Sequence, residues 1–253
     1  MSGRGIVSRV ARRWSIWASS AAALLVAAGC GGSEWQPQFT STGVGKDQYW
    51  VVRPDGKPKA VVVFLHGLAP DSGEQLEPWQ AHLAREGYAV IYPRYESPPP
   101  DPQARNNIVG AVGRALGDLG RPGVPLVLLG HSRGGRLAVE AAAYLDPRLV
   151  VAMFPGQINP AFEPATNLKL IPKSTDIYLF VGDRDTSVGN SGALELDHRL
   201  LAFGFPAARI HGGVIHSTDG FVADHGSVYS LSVAGKRAIW DRVDRLIEGV
   251  LPS

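Results

Sequence analysis

A chain of 253 residues in which 45% of the side chains are apolar can bury one large α/β core, and this composition excludes a globally disordered protein. The formal net charge of +2 owes its sign to Arg4, Arg9, Arg12 and Arg13, the only charged residues before Cys30. Removing those four of the 25 basic residues leaves 21 against 23 acidic ones, a balance that excludes an extended nucleic-acid-binding surface.

The N-terminus reads as an export segment. Arg12 and Arg13 precede Trp14 to Gly29, an uncharged run that ends in the small residues Ala27, Ala28 and Gly29 before Cys30. The run is shorter than the roughly 20 residues of an ordinary spanning helix. Its end resembles the bacterial lipoprotein lipobox, with Ala27 where leucine is more usual. That resemblance implies a signal peptide over residues 1–29, cleavage before Cys30, lipid on its sulfur and, in many bacteria, acylation of the new amino group. The protein would then sit in the bacterial cell envelope, held to the membrane outside the cytoplasm by several acyl chains. A plain secretory signal and an uncleaved anchor are the competing readings. Cys30 is the only cysteine, so the exported part folds without an intramolecular disulfide.

Residues 30–47 are rich in glycine, serine and threonine and predict a tether with little structure. A domain then spans residues 48–253. Gln48 to Val52 and Lys59 to Leu65 predict strands separated by the turn signal Pro54-Asp55-Gly56, the second being continuously apolar as a strand covered on both faces must be. It runs into His66-Gly67-Leu68 at its carboxyl end, where open α/β sheets place their ligand crevice. Leu76 to Glu86 has helical spacing and stops at Gly87, Tyr88 to Pro93 predicts a strand, and Ser97 to Pro102 is a proline-rich loop positioned to wall a site. Arg105 to Leu119 predicts the next helix.

Leu126 to Leu129 is an apolar strand that meets Gly130-His131-Ser132-Arg133-Gly134, and an alanine-rich helix, Arg136 to Leu145, follows. This G-x-S-x-G pattern in a strand-turn-helix context forces the central serine into a strained backbone conformation, with glycines where side chains would collide. The serine hydroxyl is held at the tip of the turn. Leu149 to Phe154 predicts another strand, and the proline-punctuated segment from Pro155 to Ser174 leaves room only for a small lid. Asp176 to Gly182 is a buried strand ending in Gly182-Asp183-Arg184-Asp185. Gly189 to Phe203 predicts a helix, Ala208 to Ile215 a last strand, and Gly235 to Leu251 an amphipathic helix.

In these residues the chain resembles the α/β-hydrolases, specifically the dienelactone-hydrolase, cutinase-like and chlorophyllase-like esterases that carry G-H-S-x-G-G. The resemblance implies a mostly parallel sheet with helices on both faces and the order serine, acid, histidine along the chain. It assigns the nucleophile to Ser132, the triad acid to Asp185 with Asp183 competing, and oxyanion-hole amides to Leu68 and Arg133. Two histidines follow the last strand, and topology does not decide between them. His216 stands at the more usual separation from the acid but directly continues the strand, whereas His225 follows the turn signal Thr218-Asp219-Gly220 and precedes Gly226. His225 is the expected general base. His66 is expected to hold its loop, and His82, His198 and His211 to be structural or solvated.

The implied activity is hydrolysis of a small-molecule carboxylic ester or acyl substrate by a monomeric enzyme that needs no cofactor. The histidine spacing offers no zinc-site pattern. Thioesterase, peptidase or acyltransferase chemistry would use the same triad, and an inactive ligand-binding lipoprotein is a reading of another kind.

Overall fold

The computed structural model describes residues 35–68, 73–159 and 166–252, so the export segment and Cys30 lie outside the described residues. Gln38–Thr42 (β1), Tyr49–Arg53 (β2) and Ala60–Leu65 (β3) lead into helix Gly73–Arg85 (α1) and strand Tyr88–Pro93 (β4). Helix Ala104–Asp118 (α2), strand Leu126–His131 (β5), helix Arg133–Leu145 (α3) and strand Leu149–Met153 (β6) follow. Strand Asp176–Gly182 (β7), helix Ser191–Ala202 (α4), strand Ile210–Ile215 (β8) and helix Val233–Glu248 (α5) complete the order. The strands form an eight-stranded sheet in the order β1-β2-β4-β3-β5-β6-β7-β8, antiparallel at β1 and β2 and parallel throughout the rest.

The apolar runs explain the layering. Alternate residues of β3 enter two separate cores: Val61, Val63 and Leu65 pack with α2, α3 and α4, while Ala60, Val62 and Phe64 pack with α1 and α5. On the second face Trp79 of α1 stacks on Trp240 of α5 with ring centroids 5.8 Å apart. Ser232 caps α5 by accepting the Gly235 amide hydrogen.

The tether expectation requires correction. Gln38–Thr42 is an edge strand, paired from Gln38↔Arg53 to Thr42↔Tyr49. Its composition hides this because Phe39 is its single half-buried residue, packed with Trp35 against the core; antiparallel backbone pairing holds the rest. The segment after Pro155 is also less lid-like than its prolines suggest. Thr166, Leu168, Ile171 and Thr175 are buried, so its described second half packs into the domain, while residues 160–165 lie outside the described residues.

Helix α3 is buried from Arg133 to Ala142, charges included. Arg136 donates to Glu140 Oε1 at 3.2 Å, and Glu140 also receives Thr166 Oγ1 at 3.1 Å and Arg199 Nη1 at 3.4 Å. This network ties α3 to α4. A buried carboxylate needs such partners.

Candidate active site

The chain leaves β3 on one side for β4 and returns on the other as β5, so the sheet's topological switch lies between β3 and β5. In open α/β sheets the ligand crevice lies at such a point, beyond the carboxyl ends of the strands. Ser132 occupies the tip of the β5–α3 turn with φ 55° and ψ −122°. For a non-glycine residue this is a strained conformation, costing on the order of 1–3 kcal/mol. Its amide donates to Met153 O at 2.9 Å, and its carbonyl accepts from Gly156 and Arg136 at 3.1 and 3.2 Å. The flanking glycines permit the turn: a Cβ on Gly130 would overlap the Gly134 carbonyl, and one on Gly134 would overlap the carbonyls of Leu65 and His66.

His225 Nε2 lies 2.9 Å from Ser132 Oγ, and its Nδ1 lies 2.8 Å from Asp185 Oδ2. Of the competing histidines and aspartates, these are the ones brought to the serine. The other Asp185 oxygen accepts the Ser187 and Val188 amides at 2.9 and 3.1 Å. Burial by itself would raise the Asp185 carboxyl, but the His225 bond and the two amides outweigh it and hold the group below its ordinary value. The carboxylate is therefore ionised at neutral pH. Facing an acceptor, His225 carries its hydrogen on Nδ1 and presents the Nε2 lone pair to the serine.

The loop bearing His225 is braced through Asp183, the aspartate that competes with Asp185 in the sequence. Asp183 accepts both the Ser217 hydroxyl, at 2.6 Å, and the Ser217 amide, at 3.0 Å. Ser217 Oγ in turn accepts the Ala223 amide at 3.0 Å, and the Arg184 amide donates to Ala223 O at 3.2 Å. A turn bridged between Thr218 and Phe221 folds the chain back over the end of the sheet.

The two segments that carry the expected oxyanion donors adjoin the serine. Arg133 opens α3 directly after Ser132. The Gly67–Leu68 loop passes so close that a Cβ on Gly67 would sit 3.4 Å from the Ser132 Cβ. The Arg133 side chain turns away and is buried against Glu96, with Nη2 3.2 Å from the Asp101 carbonyl. Glu96 is fully buried, so this pair fastens the proline-rich loop beside the serine. His66 holds its own loop: its ring stacks on Tyr95 at 4.1 Å, its nitrogens lie 2.6 and 2.9 Å from the carbonyls of Gly67 and Arg94, and burial lowers its pKa.

His82 pairs with Asp244 at 2.8 Å, His211 with Asp176 at 3.2 Å, and His198 is exposed on α4. Among the described residues no group of three or more His, Cys, Asp or Glu side chains is placed to hold a metal ion, and no helix is long and apolar enough to cross a membrane.

The motif reading missed His131. Its Nε2 lies 2.8 Å from the carbonyl oxygen of His225 itself, and nothing in a linear sequence joins positions 94 residues apart.

The family model described as "Alpha/beta hydrolase family" matches residues 62–245. Among solved structures, the chain is similar to carboxyl esterase 2 from the mycorrhizal fungus Tuber melanosporum, at TM-score 0.67 and 16% identity, covering 90% of each chain. It is also similar to a Pyrococcus furiosus esterase, at TM-score 0.64 and 16% identity, covering 85% of this chain and 92% of the other. A carboxylesterase from Lactobacillus plantarum aligns at TM-score 0.62 and 13% identity, over 87% of this chain and 100% of its own. A search of curated proteins finds no match.

Proposed function

The chain belongs to the alpha/beta hydrolase family, and from that premise we propose that it is a serine hydrolase that cleaves carboxylic esters. The observation that carries the reading is the continuous hydrogen-bonded line from Ser132 Oγ through both nitrogens of His225 to Asp185. In the proposed reaction His225 Nε2 takes the hydroxyl proton as Ser132 Oγ attacks the acyl carbonyl. Asp185 keeps the imidazole in the required tautomer and stabilises its positive charge.

The amides of Leu68 and Arg133 receive the developing oxyanion, which places the helix opening of α3 where negative charge grows. His225 then returns its proton to the departing alcohol. Water enters and gives a proton to the same nitrogen as its oxygen bonds to the acyl carbon. His225 returns that proton to Ser132 Oγ as the acyl bond breaks and the acid leaves, restoring the starting state.

We further propose that the enzyme is exported and anchored through lipid on Cys30 to the membrane of a bacterial envelope, and that it acts as a monomer. The support is the N-terminal segment, in which a lone cysteine closes an uncharged run behind two arginines.

The test of the activity is labelling with a fluorophosphonate probe, followed by turnover of an acyl-chain series prepared as esters, thioesters and amides. Labelling that is lost in Ser132→Ala, with esters turned over fastest, supports the reading. Labelling that survives Ser132→Ala moves the nucleophile elsewhere. Labelling without turnover of any ester excludes an esterase.

A further inference from the structure

His131 lies between Gly130 and Ser132, is 4% exposed, and touches the other elements of the site. A carbonyl oxygen only accepts, so the 2.8 Å contact to His225 O places the hydrogen of His131 on Nε2. Nδ1 is then the lone-pair nitrogen, and the Tyr229 hydroxyl donates to it at 3.3 Å. The same ring lies under the oxyanion loop, since a Cβ on Gly67 would come within 3.3 Å of Nδ1. One imidazole thus borders the nucleophile, the loop of the base and the loop of Leu68.

Its charge state matters because its ring centroid is 4.8 Å from that of His225. Burial, and next the neighbouring His225, lower its pKa to about 3. When His225 becomes an imidazolium in the proposed reaction, it faces a neutral neighbour. A second cation at that distance would oppose the charge.

We propose that His131 is a positioning residue for the base: by donating to the His225 carbonyl it holds the His225 loop at hydrogen-bonding distance from Ser132 Oγ. This rests on the reading of Ser132, His225 and Asp185 given above. The bond grips the main chain at the residue whose side chain must reach the serine. Losing it loosens the distance between Nε2 and Oγ without removing any group that contacts substrate, so kcat falls while KM stays. A misplacement of 1 Å can cost about 10²-fold in rate.

The test compares His131→Leu, His131→Gln and Tyr229→Phe with Ser132→Ala on an activated ester. Leucine keeps bulk but has no donor; glutamine can present an amide N–H near the position of Nε2. His131→Leu is expected to lower kcat about tenfold or more with KM within about twofold, and His131→Gln to recover most of the loss. The low-field proton resonance of the His225–Asp185 bond remains sharp in the wild-type and Gln proteins and broadens in the Leu protein. Unchanged kcat in His131→Leu overturns the proposal, as does a Gln protein as impaired as the Leu protein. Should His131→Leu not fold, Tyr229→Phe carries the comparison, because it removes the hydroxyl that holds the far side of the His131 ring and so loosens the ring's aim at the His225 carbonyl. A several-fold fall in kcat is expected there, and an unchanged kcat overturns the proposal. Activity retained in Ser132→Ala marks failure of the active-site reading itself and is distinguishable from every result at position 131.

Discussion

Asp183 and His216, the acid and the histidine that rival Asp185 and His225 in the sequence, are partnered with each other, Oδ2 to Nδ1 at 3.4 Å. The His216 side chain is 73% exposed, whereas that of Asp185 is fully buried. The Ser217 hydroxyl and amide, with His216 beside them, hold the Asp183 carboxyl below its ordinary value. It serves as an acceptor for the loop and stands apart from the serine.

Separate substitutions should therefore divide sharply. His225→Ala is expected to lose on the order of 10⁴-fold or more in kcat on an activated ester, while His216→Ala stays near wild type. Asp183→Ala should fall between them, because it releases Ser217 and with it the Ala223 amide. Full loss in His216→Ala with normal turnover in His225→Ala would sink the assignment.

How much of this was legible depends on how local the signal is. Ser132 was readable because the demand of its turn falls on Gly130 and Gly134, within two residues. The strands β3 and β5 were readable because burial on both faces removes polar residues from a continuous run. Asp185 and His225 are expected from the family's residue order and the turn signal at Thr218-Asp219-Gly220, but two aspartates and two histidines fit one topology, and the contacts of His225 with Asp185 and Ser132 exist only in three dimensions. His131, Tyr229, Glu96 and the Arg136–Glu140 network carry no linear signature. Their partners come from distant elements, and in a sequence a buried charged pair looks the same as two solvated ones. Strand β1 was missed for the opposite reason, since its binding is almost entirely backbone.

Gly182 offers a second test of the loop that bears His225. A Cβ there would overlap the Ala223 carbonyl oxygen, whereas one on Gly212 of the neighbouring strand meets nothing within 4 Å. Gly182→Ala is expected to push that loop away from the sheet and cost at least about 10-fold in kcat. Gly212→Ala should leave turnover unchanged. Equal behaviour of the two proteins in turnover and in thermal unfolding would show that the loop tolerates displacement.

Cys30 tests the membrane proposal independently of catalysis. In a bacterial host, Cys30→Ser is expected to abolish incorporation of labelled fatty acid and to leave uncleaved or soluble protein, with ester turnover of the folded domain retained. Membrane partition that is unchanged, with no lipid on either protein, would instead identify an uncleaved anchor. The number of chains sets the affinity, because one acyl chain gives only marginal binding and two or more give stable anchoring.

The pH dependence of stability should carry two slopes of opposite sign from two histidines. The hydrogen bond to Asp244 raises His82 above its ordinary 6.5, with burial opposing. The native protein then holds a proton that the unfolded chain releases first, so this contribution is complete below about pH 6.5 and is lost as pH rises through the folded value. His131 behaves inversely, because its folded pKa lies near 3. Between about pH 6.5 and 3 the unfolded chain binds a proton that the native protein refuses, so stability falls on acidification. Burial lowers His66 as well and adds to that limb. Urea midpoints measured from pH 4 to 9 should show the alkaline decline flattened in His82→Gln and the acid decline reduced, though not removed, in His131→Gln. Asp185, held below its ordinary 3.8, adds to the acid decline toward pH 4, because the unfolded chain takes up that proton first. A variant curve that is merely displaced, with both slopes intact, would show that the substituted histidine is not the group responsible.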